Sequence, residues 1–214
     1  MVKSLVVLRC LQVFAIAFAL SGLTTLAWDA SGDSSAVAPR LVAPTEEFRS
    51  RALAADLPDV AMETADGTRT SFAATGGRVR IATMFYAHCP GVCPLTIDTL
   101  KGIDRELTAQ QRARLSFVLL SLDPADDSPQ TLRSLAVERG LTSPHWTLGR
   151  TSEEDARSFA TAAHIRYRNL SDGSIDHSTA LVLVDERGRV LDRVSDEGDT
   201  TEFVAAARRA LDQQ

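Results

Sequence analysis

The sequence predicts an α/β domain, and three observations predict it. An apolar, β-rich run from Arg78 to Tyr86 is followed by helically spaced apolar residues at Leu95, Ile97, Leu100, Ile103 and Leu107. A second continuous apolar run covers Leu115 to Leu122, so strand, helix and strand stand in the order of a βαβ unit. Its crossover is expected to be parallel and right-handed. The chain then closes on a hairpin pattern, Thr179 to Asp185 and Arg189 to Val194 about Glu186-Arg187-Gly188, and an amphipathic helix from Thr200 to Leu211.

Both central runs are apolar throughout rather than alternating, which suits strands covered on two faces. A βαβ half followed by a hairpin and a closing helix is the order of a thioredoxin-like fold, a central mixed β-sheet flanked by helices. Before the first core strand, Leu57 to Val60 reads as a short strand and Ala65-Asp66-Gly67-Thr68 as the turn of a hairpin. Between the βαβ unit and the final hairpin, Ser128-Pro129 reads as a helix N-cap with proline at the first helical position, and Gly140 as the stop. Ser152-Glu153-Glu154-Asp155 opens another helix, with acids where the helix dipole favours them. Asn169 to Ser178 is polar and reads as a loop.

The first 45 residues read differently. Lys3 and Arg9 precede an apolar run from Leu11 to Leu20 that continues uncharged to Trp28, a membrane-targeting pattern. Thr25-Leu26-Ala27 offers small residues for cleavage, yet the uncharged stretch is about 18 residues, enough to span a bilayer. Residues 1–28 are therefore a signal peptide or a signal anchor, with the positive flank inside the cell and the remainder exported. Residues 29–45, rich in Ala, Ser, Asp, Gly and Pro, form a linker, and residues 46–214 form one domain. Loss of Lys3 and Arg9 makes the exported part more acidic than the −5 of the whole chain, which argues against nucleic acid as a partner.

Cys10 lies within the targeting segment, so the exported part carries two cysteines, Cys89 and Cys93, at the junction of the first core strand and its helix. In an oxidising compartment such a pair forms a structural disulfide, exchanges disulfides, or holds a metal. At four residues apart near a helix N-terminus the sulfurs share a face, and the positive helix end favours thiolates. The spacing is one residue longer than a thioredoxin Cys-x-x-Cys and suits a soft monovalent copper ion. Of four histidines, His164 reads as a surface or capping residue, His145 as a loop residue, and His88 as a neighbour of Cys89 whose side chain points away. His177 stands just before the strand from Thr179, the position that lies against the cysteine pair in a thioredoxin-like fold.

Cys89-Pro-Gly-Val-Cys93-Pro94, Asp123-Pro-Ala-Asp-Asp127-Ser-Pro129, and Asp176-His177-Ser178 ahead of Ala180 to Asp185 resemble, in order, three hallmark segments of the Sco/SenC family of copper-binding thioredoxin-fold proteins. The resemblance implies that Cys89, Cys93 and His177 are copper ligands, with Asp123 and Asp127 as a supporting pair near the site. It implies a periplasmic protein, on an inner-membrane anchor at residues 11–28 if that segment is uncleaved. It also implies a role in copper delivery to the copper A-bearing subunit of cytochrome c oxidase, with an upstream copper donor or thiol-disulfide reductant. Gly91 stands where the family commonly has an acid and Ala87 where a small hydroxyl residue is usual. The alternative is a periplasmic thiol-disulfide reductase in which Cys89 and Cys93 are the catalytic redox pair acting on an apo-oxidase subunit. For Asp123 and Asp127 the simpler role is turn and helix-entry chemistry.

Overall fold

The computed structural model describes residues 56–77, 79–195 and 198–212. The targeting segment, the linker and the domain start at residue 46 lie outside the described residues. Among the described residues, no helix is long and apolar enough to cross a membrane.

Seven strands form one mixed sheet. Its centre is β3 (Val79–Phe85) and β4 (Leu115–Ser121), both buried along their whole length and paired parallel from Val79↔Leu115 to Phe85↔Ser121. Burial on both faces explains the unbroken apolar runs. The connection between them is α1 (Val92–Glu106) and the single turn α2 (Ala109–Arg112). Ile97, Leu100, Ile103 and Leu107 are buried, whereas Leu95 is 68% exposed. Leu95 was expected on the buried stripe; two residues before Ile97 is about half a helical turn round, which sends it to the opposite face.

Next come α3 (Pro129–Arg139), β5 (Trp146–Arg150) and α4 (Glu153–Ala162). Ser128 Oγ accepts from the Thr131 amide, and Gly140 ends α3 at φ 69°, the left-handed conformation glycine tolerates. Ser152 Oγ caps α4 through the Asp155 amide. Strand β5 is an element the sequence did not announce. It is five residues long with Gly149 in its interior, so it lacks the apolar length of a core strand. Packing favours the glycine, because a Cβ there would displace the Met62 methyl and come within 3.2 Å of the Glu63 carbonyl oxygen. The stacked rings of Phe117 and Trp146, 4.2 Å apart, join β5 to β4 at paired positions.

The remaining strands, β1 (Ala61–Thr64), β2 (Arg69–Ser71), β8 (Ala180–Asp185) and β9 (Val190–Ser195), complete the order β2-β1-β5-β4-β3-β8-β9. The first hairpin forms, but β1 begins at Ala61 (Ala61–Thr64) rather than at Leu57, and pairs with β2 (Arg69–Ser71). Pro58, which has no amide hydrogen to donate, keeps the preceding segment out of the ladder. The closing elements β8 (Ala180–Asp185), β9 (Val190–Ser195) and α5 (Thr200–Asp212) stand where the sequence predicts them. Asn169 to Ser178 is not a loop. It contains most of a separate two-stranded hairpin, β6 (Tyr167–Asn169) with β7 (Ile175–His177). The polar turn Leu170 to Ser174 hides strands of three residues, too short to show a period.

The carboxyl ends of β3 and β4 are bolted together by Asp127. Its fully buried carboxylate accepts from Ser121 Oγ at 2.5 Å and from the Ala87 amide at 3.1 and 3.2 Å. Replacing Asp127 with Ala leaves a buried hydroxyl and a buried amide without acceptors. Urea unfolding of Asp127→Ala is expected to show a loss of about 2–4 kcal/mol; a loss under about 0.5 kcal/mol would refute the role given to this carboxylate.

Candidate metal and redox site

The site lies where β3 gives way to α1. After Phe85 the chain turns through Tyr86 to His88, with the Cys89 amide donating to the Tyr86 carbonyl at 3.2 Å. The N-cap of α1 is Gly91, which has no side chain to satisfy the first-turn amides. Cys89 takes over that task, since its Sγ accepts from the Cys93 amide at 3.4 Å. The first turn also places Cys93 on the inner side of the helix, 4% exposed, while Cys89 is half-buried.

His177 enters from the other end of the sequence on β7. Its Nε2 lies 3.9 Å from Cys89 Sγ and 3.6 Å from Cys93 Sγ. Its Nδ1 lies 3.2 Å from the Ser178 carbonyl oxygen, which can only accept, so Nδ1 carries a hydrogen and Nε2 faces the two sulfurs. Two backbone-anchored hydrogen bonds hold the hairpin end: the Arg166 amide donates to Ser178 Oγ, and the Ser178 amide donates to the Arg166 carbonyl. The ring of Tyr86 packs edge-on to the imidazole at 5.7 Å. Tyr86 is a site residue that sequence reasoning missed, because an aromatic at a strand end reads first as core. Burial pushes its phenol above the ordinary value, with the neighbouring Cys89 sulfur acting in the same direction.

The two thiols differ in acidity. Burial acts to raise Cys89, but hydrogen bonds with His177 and the Cys93 amide outweigh it and bring this thiol down to about 7. Cys93 has no comparable relief; burial pushes it well above the ordinary thiol range, and the Cys89 sulfur adds to the rise.

Among the described residues, Cys89, Cys93 and His177 are the group whose ligand atoms converge, all within 4.8 Å of one another. Bonds of about 2.3 Å to sulfur and 2.0 Å to nitrogen set those donors roughly 3.5–3.8 Å apart at tetrahedral to trigonal angles. The observed separations are 3.6 Å, within that edge, and 3.9 Å, just beyond it. Two thiolates and an imidazole suit a soft ion.

The other residues singled out in the sequence stand outside this trio. Asp127 lies beneath the cysteine loop, where burial raises its carboxyl. Asp123 is half-buried in the loop after β4, donating its amide to Ser121 Oγ and accepting from the Asp127 amide. His88 is exposed, His145 sits 3.3 Å from the Asp104 carboxylate, and His164 accepts from Arg193 at Nδ1.

Fold and site together define a thioredoxin-like domain with a Cys-x-x-x-Cys pair facing a histidine. The SCO1/SenC family model matches residues 60–212, and the chain belongs to that family. It is 33% identical over 117 residues to a Stutzerimonas stutzeri protein named for copper binding, covering 52% of this chain. The chain spans about half the length of that relative, 55%. Among solved structures it resembles Arabidopsis thaliana ScoI with copper bound, at a TM-score of 0.64 and 20% identity over 75% of this chain and 100% of that one. It also resembles BsSco, a member of the Sco family of cytochrome c oxidase assembly proteins in which a disulfide switch has been identified. There the TM-score is 0.64 and identity 18%, over 75% of this chain and 95% of that one. At these identities the structural likeness shows the thioredoxin-like fold.

Folding depresses the Cys89 thiol, so the thiolate's stabilising contribution is fully present above the unfolded value of about 8.5 and is lost as pH falls through about 7. In the reduced, metal-free protein, iodoacetamide is expected to modify Cys89 with a pH midpoint near 7, while Cys93 stays slow. Peptide mass mapping across pH 5–9 checks this, and equal rates at the two positions would contradict the asymmetry.

Proposed function

We propose that the protein is a periplasmic copper chaperone. It holds copper on Cys89 Sγ, Cys93 Sγ and His177 Nε2 and passes it to the copper A-bearing subunit of cytochrome c oxidase. The observation that carries this reading is the convergence of two sulfurs and one imidazole nitrogen at metal-bonding separation. The copper named in the Stutzerimonas relative and bound in the Arabidopsis structure supports the choice of ion, and the oxidase assembly named for BsSco supports the destination. The targeting pattern at residues 1–28 supports export, with residues 11–28 as the anchor if they are retained.

The chain's own residues divide the work. Cys93, buried and fixed in the first helical turn, is the inner sulfur; half-exposed Cys89 is the outer one, open to a ligand arriving from a partner. His177 completes the set from a hairpin separate from the main sheet. Copper supplies a soft cation that favours these donors over oxygen. The thiols must shed their protons to bind it, so affinity falls as pH drops below the Cys89 value of about 7.

Full-length reduced protein is expected to bind one copper ion. His177→Ala and Cys93→Ser should each weaken competition against a copper chelator by on the order of 100-fold, with their circular dichroism unchanged. Undiminished copper affinity in both variants would remove the site.

The unequal exposure of the sulfurs favours a second reading, a thiol-disulfide reductase. Cys89 thiolate attacks a disulfide of the apo-oxidase subunit and joins one of its sulfurs as the other departs as thiolate. Cys93 then attacks Cys89, leaving a Cys89–Cys93 disulfide and a partner dithiol, with two electrons transferred. Copper-free His177→Ala that reduces a copper A-type disulfide at the wild-type rate above about pH 9, where Cys89 is ionised without help from the imidazole, would favour this reading; loss of reduction there together with loss of copper binding would favour the chaperone.

A further inference from the structure

The chain is acidic overall, yet one face gathers cations. A groove of about 880 Å³ runs between α4 and β6, with Arg157, His164, Arg166 and Arg168 among its lining. It shares Arg166 and Arg168 with a second cavity of about 360 Å³ that reaches Asp176 and His177. The two acids beside these cations are already engaged from solvent-exposed positions, Glu153 with Arg157 at 2.8 Å and Asp176 with Arg168 at 2.9 Å. Arg166 is exposed and has no carboxylate partner among the described residues. Exposed ion pairs of this kind are weak and exchange readily with an incoming carboxylate.

A second observation is independent of charge. Helix α4 ends in a Schellman arrangement, with the His164 amide on the Thr161 carbonyl and the Ile165 amide on the Ala160 carbonyl. The left-handed residue of that motif is usually glycine; here it is His164 at φ 58°. Arg193 donates to His164 Nδ1 at 3.1 Å, so the other ring nitrogen of this groove-lining residue carries the hydrogen. The fold holds an imidazole in the lining of the groove in a backbone conformation that disfavours any side chain.

We infer that this groove docks an extended acidic segment of the protein that exchanges copper or electrons at Cys89, Cys93 and His177. The inference rests on that exchange reading. Three guanidiniums in the lining, drawn from α4 and from the segment into β6, suit a run of carboxylates rather than one anion. It is also coupled to the site, because the backbone of Arg166 holds Ser178 by two hydrogen bonds, one residue from the imidazole.

The test is fluorescence anisotropy of a labelled polyglutamate peptide with the full-length protein at low salt. Arg157→Gln/Arg166→Gln should weaken binding about five- to tenfold, and the difference should shrink in high salt. His164→Gly relieves the left-handed strain, so its Tm should rise while its peptide affinity falls, which separates recognition from stability. Unchanged affinity in both variants overturns the inference, as does equal binding of polylysine, or binding of phosphatidylglycerol vesicles with none of the peptide. Copper binding is measured on the same samples. Variants that keep copper and keep the peptide sink the groove and leave the copper site standing. A wild type that takes no copper but whose peptide binding the variants lose supports the groove and removes the copper reading.

Discussion

The arrangement depends on one convergence, an imidazole nitrogen set against two sulfurs that come from distant parts of the chain. Residue 177 reaches residues 89 and 93 because β8 lies antiparallel to β3, which returns the chain to the end of the sheet where α1 begins. The β6–β7 hairpin then carries the ring over the helix start, fixed through Ser178 and backed by Tyr86. The large buried core, with β3 and β4 at its centre, makes that end of the sheet rigid enough to hold three donors at bonding separation.

The two sulfurs differ in consequence of where the helix starts. One lies outside the first turn and collects an amide; the other lies inside it, within the apolar core, and the imidazole faces both. A donor pair with one accessible and one enclosed member suits transfer, since the accessible sulfur can be shared with an acceptor while the enclosed one retains its geometry. The same inequality serves disulfide exchange, which is why one arrangement supports both chemistries.

Much of this was legible in the residues. The βαβ unit and the final hairpin stood in unbroken apolar runs, and α3 and α4 carried their caps in Ser128-Pro129, Gly140 and Ser152. Four features were not. Strand β5 is short and holds a glycine whose purpose, the contact with Met62, exists only once β1 is in place. The β6–β7 hairpin has strands too brief for any period to emerge. Asp127 looked like a residue of a turn, and its use as a bolt between two strand ends depends on Ser121 and Ala87, neither of which signals a buried carboxylate. The aromatic at position 86 was hidden for a related reason, as its neighbour in space lies on the far hairpin.

Glycine at position 91 leaves helix α1 without a side chain of its own at its entrance, and a sulfur stands in as the acceptor. A sulfur committed to a metal or to another sulfur has less electron density to offer an amide. The state of the outer thiol and the closing of the helix's opening turn are therefore tied through a single amide hydrogen.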